Sequence, residues 1–180
     1  MIVRLIAPAA IAVLCGATLL QIISPSTPRF IYNPSPSAPV GWYRLNVDAV
    51  PETGDLVAAF MPISAADLAV ERHYLPRDIP IIKTVWATAG DEICHLDGQV
   101  FTPNRPPLSV LSHDSFGREM PLLSGCYVIP ENEVFLVSTD VQTSFDSRYF
   151  GPVPVSNILG QVRYIGKFQW GSERHRAGHG

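Results

Sequence analysis

Charge is what this chain of 180 residues has little of: 13 Lys and Arg and 16 Asp and Glu, together 16% of its residues. The formal net charge of −3 is spread without a basic block, which argues against nucleic acid as a partner. Histidine is equally scarce. The five present fall into no recognisable nucleophile or metal pattern. His175 and His179 stand four apart, but they lie in a Gly-rich tail with no supporting cluster and read as solvated. No metal and no cofactor is expected. Internal repeats and long periodic helices are missing too. What is plentiful is Pro (17) and Gly (13), scattered between short apolar runs. That pattern favours many short strands joined by tight turns, hence a mainly β domain. The length allows one such domain with a real core and a short appendage at either end.

Charge vanishes altogether between Leu5 and Ile23, where Gln21 is the one strongly polar residue and Arg4 stands just before. A run near 20 residues spans a bilayer, and Arg4 held on the cytoplasmic side would send the rest of the chain across it. A cleavable signal peptide is the rival reading. The run exceeds the usual apolar region of a leader, and no small-x-small site closes it before Ser24-Pro25, so an uncleaved anchor is favoured. The expected division is an anchor over 1–24, a catalytic domain over 25–166 and a flexible tail over 167–180.

Only three cysteines are present. Cys15 lies inside the apolar run and reads as a buried filler. Cys94 and Cys126 lie beyond it, in an oxidising compartment if the anchor is oriented as above, and are expected to pair. Closing that loop stabilises by roughly 3–4 kcal/mol on the chain-entropy model. Two buried free thiols are the alternative.

After a Ser/Pro/Thr linker from Ser24 to Arg29, Phe30-Ile31-Tyr32 begins an extended entry into the domain. Strands are expected at Trp42–Val47, Asp55–Phe60, Tyr127–Pro130, Val134–Ser138 and Ile158–Ile165. Ile93–Leu96 and Gln99–Phe101, joined by Asp97-Gly98, form the clearest hairpin. One short soluble helix is expected, with Ser64 as N-cap and Asp67 three residues on, ending near Tyr74 before Pro76. Asn104–Leu123 is turn-rich and reads as a long excursion.

Three segments are odd as plain structure. In Asn33-Pro-Ser35-Pro-Ser37-Ala-Pro39-Val-Gly41-Trp-Tyr43 a serine sits in a Pro-braced loop, so its hydroxyl is aimed without further ordering. In Ile79–Ala87 the single charge, Lys83, interrupts an apolar β-branched run. Desolvation there disfavours the ammonium, and a neutral amine can act as base towards a serine. The plain alternative is a lysine whose stem packs on the sheet while its head reaches water. The third segment is Ser144-Phe-Asp146-Ser147-Arg148-Tyr-Phe-Gly-Pro152.

In this order the three segments resemble the serine, lysine and Ser-x-Asp-Ser-Arg boxes of the type I signal peptidase family. The Ser-x-Pro-x-Gly-x-Tyr form of the first box, the cysteine pair and the small size are similar in particular to its conjugative-transfer branch, the TraF type. The resemblance runs from the anchor to about Ile165. It implies a domain of coiled antiparallel β-sheets with one N-terminal transmembrane helix. It further implies Ser37 as nucleophile, Lys83 as general base, and an oxyanion held by the Ser37 N–H and the Ser35 hydroxyl. Ser144 would orient the lysine, and Asp146 and Arg148 would form a supporting ion pair. An aspartate also matters in the TraF type; Asp146 is the matching position and Asp140 the fallback. Where general leader peptidases carry Gly-Asp-Asn, this chain has Ser138-Thr139-Asp140, which favours the transfer branch. The implied setting is the inner membrane, with the catalytic domain in the periplasm. The implied partners are membrane-tethered pilin or other exported precursors and the conjugation or type IV secretion machinery, with aminolysis that joins pilin ends into a ring expected over hydrolysis. The competing functions are a general leader peptidase and a non-catalytic membrane-anchored β module of a secretion or pilus complex.

Overall fold

The computed structural model describes residues 29–103 and 105–167. The expected anchor, Cys15 and the two tail histidines lie outside them. No helix among the described residues is long and apolar enough to cross a membrane.

The fold is mainly β. Among the described residues eleven strands run as β1 (Phe30–Asn33), β2 (Gly41–Asn46), β3 (Leu56–Ala59), β4 (Ile81–Thr88), β5 (Glu92–Leu96), β6 (Gln99–Thr102), β7 (Arg105–Ser109), β8 (Gly125–Val128), β9 (Glu133–Val137), β10 (Val153–Pro154) and β11 (Ile158–Gly166). Helix α1 (Ile63–Glu71) follows β3 and the four-residue α2 (Ser147–Phe150) follows β9. Antiparallel pairing builds a seven-stranded sheet in the order β1-β2-β11-β3-β4-β9-β10 and a four-stranded sheet in the order β7-β6-β5-β8.

Burial explains the strand patterns. β2 alternates strictly, with Tyr43 and Leu45 inside and Trp42 and Arg44 outside, as a sheet with one wet face requires. β4 lies mid-sheet and is buried on both faces along most of its length, so its apolar residues do not alternate. Ile81 and Val85 pack with Val57, Ala59, Met61 and the inner face of α1. Ile82 packs on the other side with Tyr43, Leu45 and Val162. Trp86, Ala87, Phe135 and Val137 join Ile93, Val100 and Ile129, binding the two sheets together.

The Asp97-Gly98 hairpin forms with positive φ at both residues, 49° and 71°, as a two-residue hairpin turn of the favoured hand needs. Three expectations are corrected. The helix begins two residues earlier than expected: Pro62 is the N-cap in place of Ser64, no side chain caps it, and the helix ends at Glu71. Pro62 presents its carbonyl to the Ala66 N–H, which leaves Ser64 inside the first turn. A second, four-residue helix is present where one was expected. The excursion after Thr102 contains β7 in spite of Pro106 and Pro107, because β7 is an edge strand where a missing N–H is tolerated.

Candidate active site

The β1–β2 connection is held from both sides. Asn33, at the end of β1 and buried, donates through Nδ2 to the carbonyls of Ser35, Ala38 and Pro39 at 2.8, 3.1 and 3.3 Å. Its Oδ1 accepts from the Ser35 N–H at 3.1 Å. Tyr43, fully buried, donates its hydroxyl to the Pro39 carbonyl at 2.7 Å. Gly41 adopts φ +148°, and a Cβ there would meet the Gly166 carbonyl oxygen at 2.6 Å and the Tyr164 ring at 2.9 Å. The glycine and tyrosine of the first segment therefore serve the loop: one lets β2 pass the bulge in β11, the other pins the loop to the core. Within it Ser35 Oγ donates to Ser37 Oγ at 3.2 Å and accepts the Ser37 N–H at 3.4 Å. The two groups expected to hold an oxyanion are thus adjacent to the hydroxyl they would serve.

Lys83 sits in β4 opposite Val57 of β3, 2% exposed, on the strand face it shares with Ile81 and Val85. Its head does not reach water. Nζ donates to Ser144 Oγ at 2.8 Å and to Ser138 Oγ at 2.9 Å. Burial lowers its pKa from 10.5 to about 8; the Asp146 carboxylate opposes the shift and the Arg148 guanidinium adds to it. A lysine so placed exchanges protons near neutral pH.

Asp146 and Arg148 are both buried and form a two-pronged ion pair, Nε to Oδ1 at 2.8 Å and Nη2 to Oδ2 at 2.9 Å. The other guanidinium N–H groups donate to the carbonyls of Ser109, Val141 and Ser144. Charges out of water need this degree of satisfaction. Asp146 Oδ1 also accepts the Arg148 N–H, capping α2, and Oδ2 accepts the Ser138 N–H at 3.0 Å. It bonds neither Ser37 nor Lys83; its hydrogen-bonded connection to them runs through Ser138, and its charge reaches Lys83 across space. Asp140, the fallback, is exposed, and its hydrogen bond is from its neighbour Thr139.

Three organising residues escaped the sequence reading. Ser138, at the end of β9, donates to the Ser37 carbonyl at 2.7 Å. Asn33 shapes the serine loop. Ser147, fully buried, accepts the Leu136 N–H at 2.9 Å and ties α2 to β9. Ser138 had a signal, since it stands where general leader peptidases carry a glycine, but its meaning depends on the pairing of Thr84 with Val137.

A cleft of about 210 Å3 opens beside Ser37 and Lys83, with apolar walls from Met61, Ala69, Leu75 and Phe145. A tight hairpin closed by the His113–Glu119 bridge forms its rim, with Phe116 77% exposed. Asp114 fastens it, accepting from the Phe116 and Arg118 N–H groups, Arg118 Nε and the Tyr74 hydroxyl. A second hollow of about 410 Å3 lies along Pro39, Leu56, Ile82 and Thr139, and Ser37 borders both. In the smaller sheet Cys94 and Cys126 face each other across β5 and β8 with Cα atoms 4.0 Å apart, and a disulfide fits between them.

A β domain that buries a lysine among hydroxyls, beside a rigid serine loop at the junction of two hollows, has the makings of a hydrolase site for extended chains. The chain belongs to the signal peptidase family, peptidase S26, whose model matches residues 2–166. It is accordingly a protease of the signal peptidase type. It is 34% identical over 165 residues to the conjugal transfer protein TraF of Agrobacterium fabrum, covering 87% of this chain and 90% of that one. It is 38% identical over 143 residues to a probable conjugal transfer protein TraF of Sinorhizobium fredii, 74% of each. It is also 29% identical over 111 residues to a probable thylakoidal processing peptidase of Arabidopsis thaliana, covering 62% of this chain and 28% of that one.

Proposed function

We propose that this protein is a membrane-anchored serine endopeptidase with a Ser37/Lys83 dyad that matures pilin or another exported precursor during conjugative transfer. The observation that carries the reading is Lys83: a buried amine, lowered to about 8 and clamped by Ser138 and Ser144, with Ser138 bonded to the main chain of Ser37. The likeness to TraF proteins of conjugal transfer points to the biological setting, and the apolar run from Leu5 to Ile23 to the inner membrane with a periplasmic domain.

In the proposed reaction Ser37 Oγ attacks the scissile carbonyl as Lys83 takes its proton. The tetrahedral oxyanion lies against the Ser37 N–H and the Ser35 hydroxyl. The C–N bond then breaks, and the leaving amine carries off the proton held by Lys83, which leaves an ester on Ser37. Water or an amine resolves that ester. The serine sits a short linker beyond the apolar run, so a substrate tethered to the same membrane keeps its own N-terminus at high local concentration, and aminolysis is the expected outcome.

Co-expression with a candidate pilin precursor and intact-mass analysis of the product tests this. Ser37→Ala and Lys83→Met each abolish processing, and the double variant is no worse, because members of one catalytic unit are not additive. Appreciable cleavage by Lys83→Met sinks the dyad. A ring is one water lighter than the linear product of the same cut and has no free N-terminus; a linear product with an open N-terminus makes the enzyme a plain hydrolase.

A further inference from the structure

We infer that Ser138 is a positioning residue of this site, one that sets the direction of the Lys83 lone pair and the placement of the Ser37 main chain through a single hydroxyl; the inference rests on the dyad reading above.

The argument is a count of hydrogens. The Ser37 carbonyl can only accept, so the single hydroxyl hydrogen of Ser138 is committed to it, at 2.7 Å. Ser138 Oγ therefore faces its other neighbours as an acceptor, taking one hydrogen from Lys83 Nζ at 2.9 Å and one from Ser144 Oγ at 3.2 Å. Ser144 has then spent its own hydrogen on Ser138 and can only accept from Lys83, at 2.8 Å. One carbonyl polarises the whole triangle. A neutral lysine amine has two hydrogens and one lone pair. Both hydrogens are taken by the two serines, neither serine has a hydrogen left to offer, and the lone pair remains for another donor. In the dyad that donor is the Ser37 hydroxyl, which has no direct hydrogen bond to Lys83 in this structure. Ser144 alone would fix one hydrogen and leave the amine free to rotate about it.

The same hydroxyl fixes distance. Ser37 lies in the β1–β2 loop and Lys83 in β4, and Ser138 at the end of β9 reaches them from 101 and 55 positions away in sequence. It is itself 7% exposed and held from behind, its N–H donating to Asp146 Oδ2 at 3.0 Å while Arg148 grips that carboxylate. The buried ion pair is thus hydrogen-bonded to the dyad by way of Ser138.

The test uses the full chain purified in detergent, with p-nitrophenyl acetate as acylating probe and the Lys83 Nζ titration followed by heteronuclear NMR on lysine-labelled protein. Ser138→Ala is expected to lower the rate of p-nitrophenolate release roughly 10²-fold, the size of effect that misplacing a reacting group carries, and to move the Lys83 midpoint downward, because an ammonium loses a stronger acceptor than an amine does. Ser138→Thr, which keeps the hydroxyl, is expected to stay within a few-fold of the parent at the parent midpoint. If Ser138→Ala does not fold, Ser138→Cys is read in its place and gives the same loss in weaker form. A rate within two-fold of the parent with an unmoved midpoint, or a Thr variant as impaired as the Ala one, overturns the inference. Release that persists in Ser37→Ala shows instead that Ser37 is not the nucleophile, while the Lys83 titration tests Ser138 independently of that.

Discussion

At the scale of the residue, the proposed mechanism turns on the proton inventory of Lys83. Its pKa is lowered to about 8 by burial, so the amine becomes competent only as pH rises through that value. In the proposed mechanism kcat/KM should climb about tenfold per pH unit below pH 8 and level off above it. A profile of precursor cleavage over a pH series checks this, and one already flat at pH 6 would remove Lys83 as the base. In the proposed mechanism Asp146 supports the site without touching the reacting atoms. Its oxygens are taken by Arg148 and the Ser138 N–H, a buried arrangement in which loss of one partner strands the other charge.

At the scale of the element, the serine loop and the cysteine-bearing hairpins are built on opposite plans. The loop between β1 and β2 is rigid because buried side chains, Asn33 and Tyr43, bind its carbonyls. The smaller sheet has β7 and β8 as its edges, and the Cys94–Cys126 pair ties β8 to β5. If the pair is oxidised, thiol labelling of unreduced, denatured protein should modify Cys15 alone. Reduction should then cost roughly 3–4 kcal/mol of unfolding free energy on the chain-entropy model. Labelling of all three cysteines would refute both the bridge and the compartment inferred from it.

At the scale of the whole molecule, the two sheets are joined by apolar packing in which His95 is the polar exception. It is 4% exposed, stacked on Tyr127 and tilted against Phe135 of the larger sheet, with Nδ1 unpartnered. Burial lowers its pKa from 6.5, so the folded state favours the neutral ring. Below pH 6.5 the unfolded chain gains a proton that the folded one resists, and stability falls, at no more than about 1.4 kcal/mol per pH unit for one proton. Denaturant unfolding of the parent and of His95→Phe between pH 5 and 8 should show the parent losing ground relative to the variant as the pH drops. Parallel curves would show that His95 is not the group responsible.

Much of this was legible in the amino-acid order, because it is local. Alternation in Gly41–Asn46, the Asp97-Gly98 turn and the lone charge in an apolar strand are each set by neighbours within a few residues. The mainly β class follows from them, while the family was legible only through the resemblance that the three segments carry together. β7 stayed hidden because Pro106 and Pro107 argue against a strand until its edge position is known. The start of α1 was misplaced because the backbone at Pro62, not a side-chain cap, decides it. Ser138 and Asn33 could not be recognised in advance, since an ordinary serine and asparagine acquire their roles only from what stands opposite them. The sequence by itself determined which groups can carry the chemistry, through residue type and local burial. Which hydroxyls surround Lys83, and in which direction their hydrogens run, was decided by the tertiary structure alone, because hydrogen-bond geometry between residues 55 to 101 positions apart exists only once the register of the sheet is set.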